Sequence, residues 1–169
     1  MYRTSIPIAA ILTAATSIML LIPAPAHADT TATVIKVVDG DTVDIRYPDG
    51  QTDRVRILGI DTPETKDPNK PIECWGPEAT AFATTELAGR AVTLRIDPTQ
   101  DERDRYQRLL AYIDRDGWNY SIEAARAGVA RAYIYDHSPV TLYPQIETAQ
   151  QQAQAEARGL WGPPCNGTP

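Results

Sequence analysis

The chain has 169 residues, enough for one ordinary domain, and it carries 16 Lys and Arg against 22 Asp and Glu. The formal net charge of −6 argues against a polyanionic partner, because proteins that bind phosphate backbones usually present a basic surface. The absence of P-loop, G-x-G-x-x-G and G-x-S-x-G motifs excludes the nucleotide-binding and serine-hydrolase sites that depend on them.

Residues 1–28 have the pattern of a secretory signal peptide. A basic residue precedes an apolar run from Ile6 to Ile22, and a small-x-small site follows at Ala26-His27-Ala28. A membrane anchor is the alternative for so long a run, but the proline-rich exit favours cleavage after Ala28. No later segment approaches the ~20 apolar residues of a membrane span. We therefore expect a secreted domain of residues 29–169 with no membrane segment.

Cleavage would leave a mature net charge of 15 − 22 = −7 and His137 as the single histidine. Sites built from histidine pairs and histidine-rich zinc sites are then excluded. Any chemistry has to come from carboxylates, arginines and a metal.

Three strands in the pattern of a meander begin the mature chain. Thr31–Val38 is rich in β-branched residues, and Asp41–Tyr47 alternates between apolar and polar side chains. Thr52–Gly59 alternates again after a Pro48-Asp49-Gly50 turn. Residues 61–73 carry three prolines and no periodicity, which indicates a loop.

Helices and strands follow in the second half. Gly76-Pro77-Glu78 is typical of a helix start, and Gly89 of a stop. Further elements are predicted as strands over Ala91–Ile96 and Arg108–Asp114, a helix capped by Asn119 that ends at Ala127, an extended segment over 129–134, and a helix from Pro144 to Arg158. This order predicts an α+β fold, a five-stranded OB-type β-barrel with three helices.

Cys74 and Cys165 are the only two cysteines. An even count in an exported protein predicts a disulfide, whereas two thiolates without histidine partners make a poor zinc site. The bridge would close 165 − 74 = 91 residues. In the chain-entropy account this is worth about 4 to 5 kcal/mol.

Two acidic motifs adjoin the second and third strands. Asp41 has the parity of Val43 and Ile45, so its side chain should face the barrel interior at its mouth, although such segments often only shape turns. Pairing through the turn at 48–50 would bring Asp41 to the same end as Asp61 in Asp61-Thr62-Pro63-Glu64. Two carboxylates and a backbone carbonyl make an all-oxygen site suited to Ca²⁺.

A segment rich in arginine leads into the fifth strand. A guanidinium at this point offers a fixed fork that binds phosphate through two hydrogen bonds. The alternative is a solvated charge run in which these arginines only pair with nearby acids. The residues concerned are the arginines Arg103, Arg105 and Arg108 and the acids Asp101, Glu102 and Asp104.

Taken in order, these motifs resemble those of the staphylococcal nuclease family. Each motif alone is weak, but together, in the family's order, they are specific, and the resemblance spans essentially the whole mature chain. The matching stretches are Val37–Val43, Arg56–Thr65, Trp75–Ala79, Arg103–Tyr112, Gly128–Arg131 and Gly159–Trp161.

The resemblance implies an OB-fold nuclease that requires Ca²⁺. It would hydrolyse DNA and RNA, with low sequence specificity, to products that carry a 3′-phosphate, and we expect it to act as a monomer. The metal ligands implied are Asp41, Asp61 and the carbonyl of Thr62. The catalytic residues implied are Arg56 and Arg108 as phosphate clamps and Glu64 as the acid that orients or deprotonates water. The residues that would contact a terminal phosphate and the base are Arg105, Tyr106, Tyr133 and Tyr135.

One position departs from the family pattern: Gln107 stands where a small residue usually precedes the second arginine, so we expect a less tight turn. A non-catalytic nucleic-acid-binding domain of the same fold is the main alternative function, and a secreted oligosaccharide-binding barrel is a weaker one. The enzyme is favoured because all five charged site residues are present, namely Asp41, Arg56, Asp61, Glu64 and Arg108.

Overall fold

A computed structural model describes residues 29–66 and 71–168. The expected signal peptide, residues 1–28, lies outside the described residues. Within the described part, no helix combines the length and the apolar character needed to cross a membrane.

Five main strands and three short ones form the sheets of the described chain. The main strands are β1 (Thr30–Val37), β2 (Thr42–Arg46), β3 (Thr52–Ile57), β5 (Ala91–Arg95) and β6 (Leu109–Arg115). The two-residue strands are β4 (Ile60–Asp61), β7 (Trp118–Asn119) and β8 (Arg131–Ala132). The helices are α1 (Gly76–Leu87), α2 (Tyr120–Ala127) and α3 (Tyr143–Ala155), followed by a 3₁₀ turn at Gly159–Trp161.

The main strands close into a barrel. Their sheet runs in the order β3-β2-β1-β5-β6-β7, and an additional parallel pairing joins β3 to β6. The β2–β3 hairpin is antiparallel, with Thr42 opposite Arg56, as expected for pairing through the turn at 48–50. The predicted α+β fold, a five-stranded OB-type barrel with three helices, is confirmed.

Apolar and polar residues alternate along β2 and β3, so that one face of each strand is buried. Val43, Ile45, Val55 and Ile57 are fully buried, whereas the side chains of Asp44 and Arg54 reach the outer surface. Each such side chain contributes about 1.5 to 3 kcal/mol by leaving water. The period of two in the sequence therefore predicts the interior of the barrel correctly.

The helices differ little from their predicted limits, and the segment after α2 differs more. Asn119 caps α2 by accepting a hydrogen bond from the Ile122 N–H at 3.2 Å, and Gly128 ends it with φ 73°. Of the predicted extended segment 129–134, only β8 pairs, and its partner is β4. The last helix ends at Ala155, three residues early, because Ala157 takes a left-handed φ of 51°.

The predicted disulfide between Cys74 and Cys165 is present, with a Cα–Cα distance of 5.8 Å. It joins the segment before α1 to the segment after the 3₁₀ turn. The described residues contain no free cysteine.

Asp97 is a buried carboxylate that ties together three segments distant in sequence. It is 1% exposed, and its oxygens accept hydrogen bonds from the Tyr112 hydroxyl at 2.7 Å and from the N–H groups of Thr99 and Thr141 at 2.9 and 2.7 Å. Burial by itself raises the pKa of Asp97, but these hydrogen bonds outweigh it and lower the pKa from 3.8 to about 2.

We expect Asp97 to stabilise the fold in a pH-dependent way. Because its folded pKa lies below 3.8, the stabilisation is complete above that pH and is lost as the pH falls toward about 2. A shift of this size corresponds to about 2 kcal/mol. Urea unfolding of wild type and Asp97→Asn should differ by at least this much near neutral pH, and the two should converge in acid. Asp101→Asn, at an exposed position, is the control, and an equal loss at all pH values would contradict the prediction.

Gln107 lies in a tight turn before β6, so the expectation of a looser turn is wrong. Its N–H donates to the Asp104 carbonyl at 2.9 Å, and its φ of 64° is left-handed. Left-handed backbone costs a residue with a Cβ roughly 1 to 2 kcal/mol, which glycine avoids.

Gln107→Gly should therefore raise the free energy of unfolding, by a few tenths to about 1 kcal/mol after the extra chain entropy of glycine is subtracted. Chemical denaturation measures the change. Gln107→Ala keeps the Cβ and serves as the control, for which no gain is expected. Equal gains in both variants would show that loss of the long side chain, not relief of the backbone, is responsible.

Candidate active site

A cavity of about 300 Å³ opens at the mouth of the barrel, where β2, β3 and the approach to β6 meet. Its walls are almost entirely polar side chains. They are Asp39, Asp41, Thr42, Arg56, Asp61, Thr62, Pro63, Glu64, Tyr106 and Arg108.

Asp41 faces inward at the start of β2, as its parity predicts. It is 6% exposed and is held by hydrogen bonds from three donors. The Thr42 hydroxyl binds one oxygen at 3.0 Å, and the Thr62 N–H and hydroxyl bind the other at 3.0 and 3.1 Å. The carboxylate thus fixes the segment after β4 against the start of β2.

Arg56, at the end of β3, links both acidic motifs. Its Nη2 lies 3.3 Å from Asp41 Oδ2 and 3.1 Å from Asp61 Oδ1. Its Nη1 donates to the carbonyls of Ile57 and Ile60 at 2.8 and 2.9 Å. The carbonyls at the bend between β3 and β4 therefore hold the guanidinium in one orientation. In that orientation it contacts the carboxylates of both Asp41 and Asp61.

Negative charge is crowded in the cavity. Burial, followed by the charge of Asp41, raises the pKa of Asp39 to about 6. Burial also raises the pKa of Asp61, against the opposing attraction of Arg56. Four carboxylates line the cavity against two guanidiniums, which leaves an excess of two negative charges when all are ionised.

This donor set fits a divalent, oxygen-preferring cation. Its charge would offset the excess of two, and the Asp61 side chain, 54% exposed, is open to a ligand from the cavity. Asp41 already accepts several hydrogen bonds, so binding there would replace or share them. In the described part of the chain, no three His, Cys, Asp or Glu side chains are grouped as a ready metal site. A site of two carboxylates and one carbonyl does not require such a group.

Glu64 lines the cavity from the loop after β4. Its Oε1 accepts the N–H groups of Thr65 and Lys66, which turns the carboxylate back toward its own loop. Its backbone N–H donates to Glu73 Oε2 at 2.9 Å. The position of Glu64 therefore depends on the far end of the loop.

Arg108 reaches the cavity from the residue before β6. Its Nε donates to Asp104 Oδ2 at 2.7 Å, and its guanidinium carbon lies 5.4 Å from the centre of the Tyr106 ring. Of the alternative pairings with neighbouring acids, this one forms, whereas Arg103 pairs with Asp53 at 2.5 Å. In the described residues, the terminal nitrogens of Arg108 bond to no protein group, so pairing with Asp104 leaves the fork open to the cavity.

Three residues expected to contact substrate lie beside the cavity and do not line it. Arg105 stacks over the Tyr106 ring at 4.8 Å and donates to its hydroxyl at 2.8 Å. Tyr133 and Tyr135 are exposed beyond β8, and the Tyr133 N–H donates to the Gly59 carbonyl. They follow β8, the strand that pairs with β4.

Asp39 and Arg131 were not selected from the sequence. Asp39 stands in the same Asp-Gly-Asp segment as Asp41, so the motif itself contained the signal. Arg131 lies opposite Asp61 in the β4–β8 pair, and its charge acts to lower the pKa of Asp61. No local pattern reveals this pairing, because 70 residues separate the two, 131 − 61.

Comparison with known proteins agrees with the geometry. The family model described as staphylococcal nuclease homologue matches residues 54–163. The chain is 40% identical to a thermonuclease of Staphylococcus hyicus over 129 residues, 76% of this chain and 73% of that protein. It is 38% identical to the SPbeta prophage-derived endonuclease YokF of Bacillus subtilis, covering 76% of this chain and 43% of that protein. It is 36% identical to the endonuclease YncB of the same organism, covering 76% and 60%.

The structure and the comparisons agree with one another. The structure has a closed barrel with a polar cavity of acids and arginines at its mouth, and the matches cover most of the chain. The chain therefore belongs to the staphylococcal nuclease family, as a nuclease of the hydrolase class.

Proposed function

We propose that the protein is a secreted, Ca²⁺-dependent endonuclease that hydrolyses phosphodiester bonds of DNA and RNA and leaves 3′-phosphate ends. One observation carries the proposal: the carboxylates of Asp41 and Asp61 share the guanidinium of Arg56, and Arg108 opens into the same cavity. This places anionic groups for a cation and cationic groups for a phosphate within one site.

Asp41, Asp61 and the Thr62 carbonyl would hold Ca²⁺. When bound, the ion supplies positive charge that offsets the excess of carboxylates and polarises a phosphoryl oxygen. Without the charge of the ion, the excess of carboxylates makes the cavity as a whole repel a phosphate. The count of charges in the cavity therefore supports the proposed dependence on a metal.

We assign Glu64, which lines the cavity, as the group that accepts a proton from the attacking water. Water forms the new bond to phosphorus, its proton passes to the Glu64 carboxylate, and the bond from phosphorus to the 5′ oxygen breaks. The leaving oxygen takes up a proton from solvent, and the phosphate remains on the 3′ side. Glu64 Oε1 is occupied by backbone N–H groups, so Oε2 is the oxygen assigned to the proton.

Arg56 and Arg108 stabilise the transition state. The pentacoordinate phosphorane carries one more negative charge than the substrate, so fixed guanidiniums bind it more strongly than the ground state. Asp104 orients Arg108 through Nε, and the two carbonyls bound to Arg56 orient that side chain. This prior orientation removes part of the reorganisation that a flexible cation would require.

Low sequence specificity follows from the groups at the rim. Tyr106 is 64% exposed, with the guanidiniums of Arg105 and Arg108 at 4.8 and 5.4 Å from the centre of its ring, and a base that stacks on the exposed part of the ring is bound through its π-face. A stacking surface without fixed hydrogen-bonding groups does not distinguish one base from another. Tyr133 and Tyr135 offer similar exposed rings near β8.

Export is supported by two independent features. Residues 1–28 have the signal-peptide pattern, and Cys74 and Cys165 form a disulfide, which persists in oxidising compartments. The mature domain would act on nucleic acid outside the cell as a monomer.

Cleavage of single-stranded DNA and of RNA should require Ca²⁺. Excess chelator should abolish activity and added Ca²⁺ should restore it, because the ion offsets the negative excess in the cavity. Gel assays with 3′-end analysis measure both the dependence and the product. Equal cleavage in chelator, or activity in Mg²⁺ but not Ca²⁺, would contradict the site. Nucleic-acid binding without cleavage would instead indicate the non-catalytic alternative.

Arg108→Lys should lower kcat about 100-fold, because lysine keeps the charge but loses the two-pronged fork. Ca²⁺ affinity, measured by calorimetry, should remain near wild type. Arg54→Lys is the matched control, since Arg54 pairs with Asp44 at 2.6 Å outside the cavity. Near-normal kcat in Arg108→Lys would mean that this arginine serves only as the partner of Asp104.

Asp41→Asn should affect metal binding. It should weaken Ca²⁺ binding, because it removes the charge of a ligand. Activity should be partly recovered at high Ca²⁺. Asp44→Asn, on the strand that directly follows Asp41 but paired with Arg54 outside the cavity, is the control and should bind Ca²⁺ as wild type does. Unchanged affinity in Asp41→Asn would exclude Asp41 as a ligand.

A further inference from the structure

The loop that carries Glu64 is fastened at its far end to the C-terminal segment. Cys74 closes the loop and is bonded to Cys165, which is itself buried. The bridge thus joins the cavity wall to a segment that lies 91 residues further along the chain.

Glu73 connects the bridge to Glu64 directly. The Glu73 N–H donates to the Glu64 carbonyl at 3.0 Å, and the Glu73 carboxylate accepts the Glu64 N–H at 2.9 Å. The residue next to Cys74 therefore holds both backbone groups of Glu64. A displacement of Cys74 is transmitted to Glu64 through two hydrogen bonds and one peptide unit.

Close packing at the start of α1 adds to this coupling. A Cβ on Gly76 would lie 2.5 Å from the Thr65 methyl group and 3.2 Å from the carbonyl of Glu64. The loop and the first turn of α1 are therefore in contact without spare volume. Since Cys74 lies two residues before Gly76, the bridge anchors this packed corner as well.

The partner segment is itself firmly held. Arg131 Nη2 donates to the Gly167 carbonyl at 2.5 Å, and its guanidinium lies 5.6 Å from the centre of the Trp161 ring. The Gly167 N–H donates to the Leu160 carbonyl at 2.7 Å. Cys165 therefore lies in a segment that these contacts tie to the body of the domain, so that the bridge can restrain the loop.

We propose that the Cys74–Cys165 disulfide, acting through Glu73, positions Glu64 for catalysis, so that turnover depends on the bridge being closed. This inference rests on the proposed role of Glu64 and adds to it a form of regulation. Opening by a small dithiol breaks the S–S bond, transfers two electrons and two protons to the cysteines, and converts the dithiol to its disulfide. The nuclease is then fully active only in its oxidised form.

The competing explanation is that the bridge only stabilises the fold, as disulfides do by restricting the unfolded chain. The two differ in a measurable way. A stabiliser leaves kcat unchanged at temperatures where the protein stays folded, whereas a positioning bridge lowers kcat in the folded protein.

The Cys74→Ser/Cys165→Ser double variant is compared with wild type and with Leu94→Ala, a buried barrel residue far from the loop in sequence. Leu94→Ala serves as a destabilised control, and melting temperatures show that all three are folded under the assay conditions. The readouts are kcat, KM and Ca²⁺ affinity, together with hydrogen exchange of the Glu64 amide.

We expect the double variant to lose between tenfold and a hundredfold in kcat, the range for a displaced catalytic group, with KM and Ca²⁺ affinity nearly unchanged. Exchange of the Glu64 amide should be at least tenfold faster. Leu94→Ala should keep the wild-type kcat and the wild-type exchange rate of the Glu64 amide. A double variant with wild-type kcat and exchange would overturn the proposal and leave the bridge as a stabiliser.

Glu73 variants test the connection while the bridge stays intact. Glu73→Ala removes the acceptor for the Glu64 N–H and should reproduce the loss of kcat, whereas Glu73→Gln retains an oxygen acceptor and should restore most of it. Wild-type kcat in Glu73→Ala would exclude the route through Glu73. Reduction of wild type with dithiothreitol should lower kcat reversibly, with a mass gain of about two hydrogens.

The outcomes separate this inference from the proposed function. If wild type shows no Ca²⁺-dependent cleavage, the proposed function fails, and exchange of the Glu64 amide still decides whether the bridge positions the loop. If wild type cleaves but the double variant matches it in kcat and in exchange, only the positioning role fails.

Discussion

Strand β3 bonds to β2 on one side and, in parallel, to β6 on the other, and the second pairing closes the barrel. The same pairing assembles the site, since Arg56 lies on β3 and Arg108 directly precedes β6. The hairpin with β2 adds Asp41 at this end. Charged groups from three parts of the chain thus meet because the backbone hydrogen bonds of closure fix the register of every strand that carries them.

Arg56 has a structural role beside the catalytic role proposed for it. By binding the carbonyls of Ile57 and Ile60 it satisfies backbone acceptors at the bend between β3 and β4, and by contacting Asp41 and Asp61 it offsets part of their repulsion. Removal would leave acids crowded and carbonyls without a donor, so loss of activity alone cannot identify its catalytic role. Arg108 is the more informative arginine, because among the described residues its side chain contacts only Asp104 and the Tyr106 ring.

The sequence predicts those features that depend on local periodicity and short motifs. The alternation of apolar and polar residues predicts which faces of β2 and β3 point inward, and it also predicts the orientation of Asp41. It could not predict the β4–β8 pair, since two-residue strands have no period and form only because their partner is already in place. The hydrogen-bond network around Asp97 could not be predicted either, because its donors come from segments that are distant in sequence and include Tyr112 and Thr141. Gln107 takes its left-handed φ because the Asp104 turn and closure with β3 require it, against its own preference.

The acidic composition pointed away from a nucleic-acid partner, and the distribution of charge explains why it misled. Many arginines are neutralised locally by acids, as in the pairs Arg54–Asp44, Arg95–Asp114, Arg103–Asp53 and Arg115–Glu86. These pairs offset much of the positive charge that the outer surface of the described residues carries. Under the proposed function, binding depends on the cavity, where a cation and two arginines would act on a small number of phosphates. A protein that binds few phosphates releases few counterions, so net charge says little about a substrate that is held at one point.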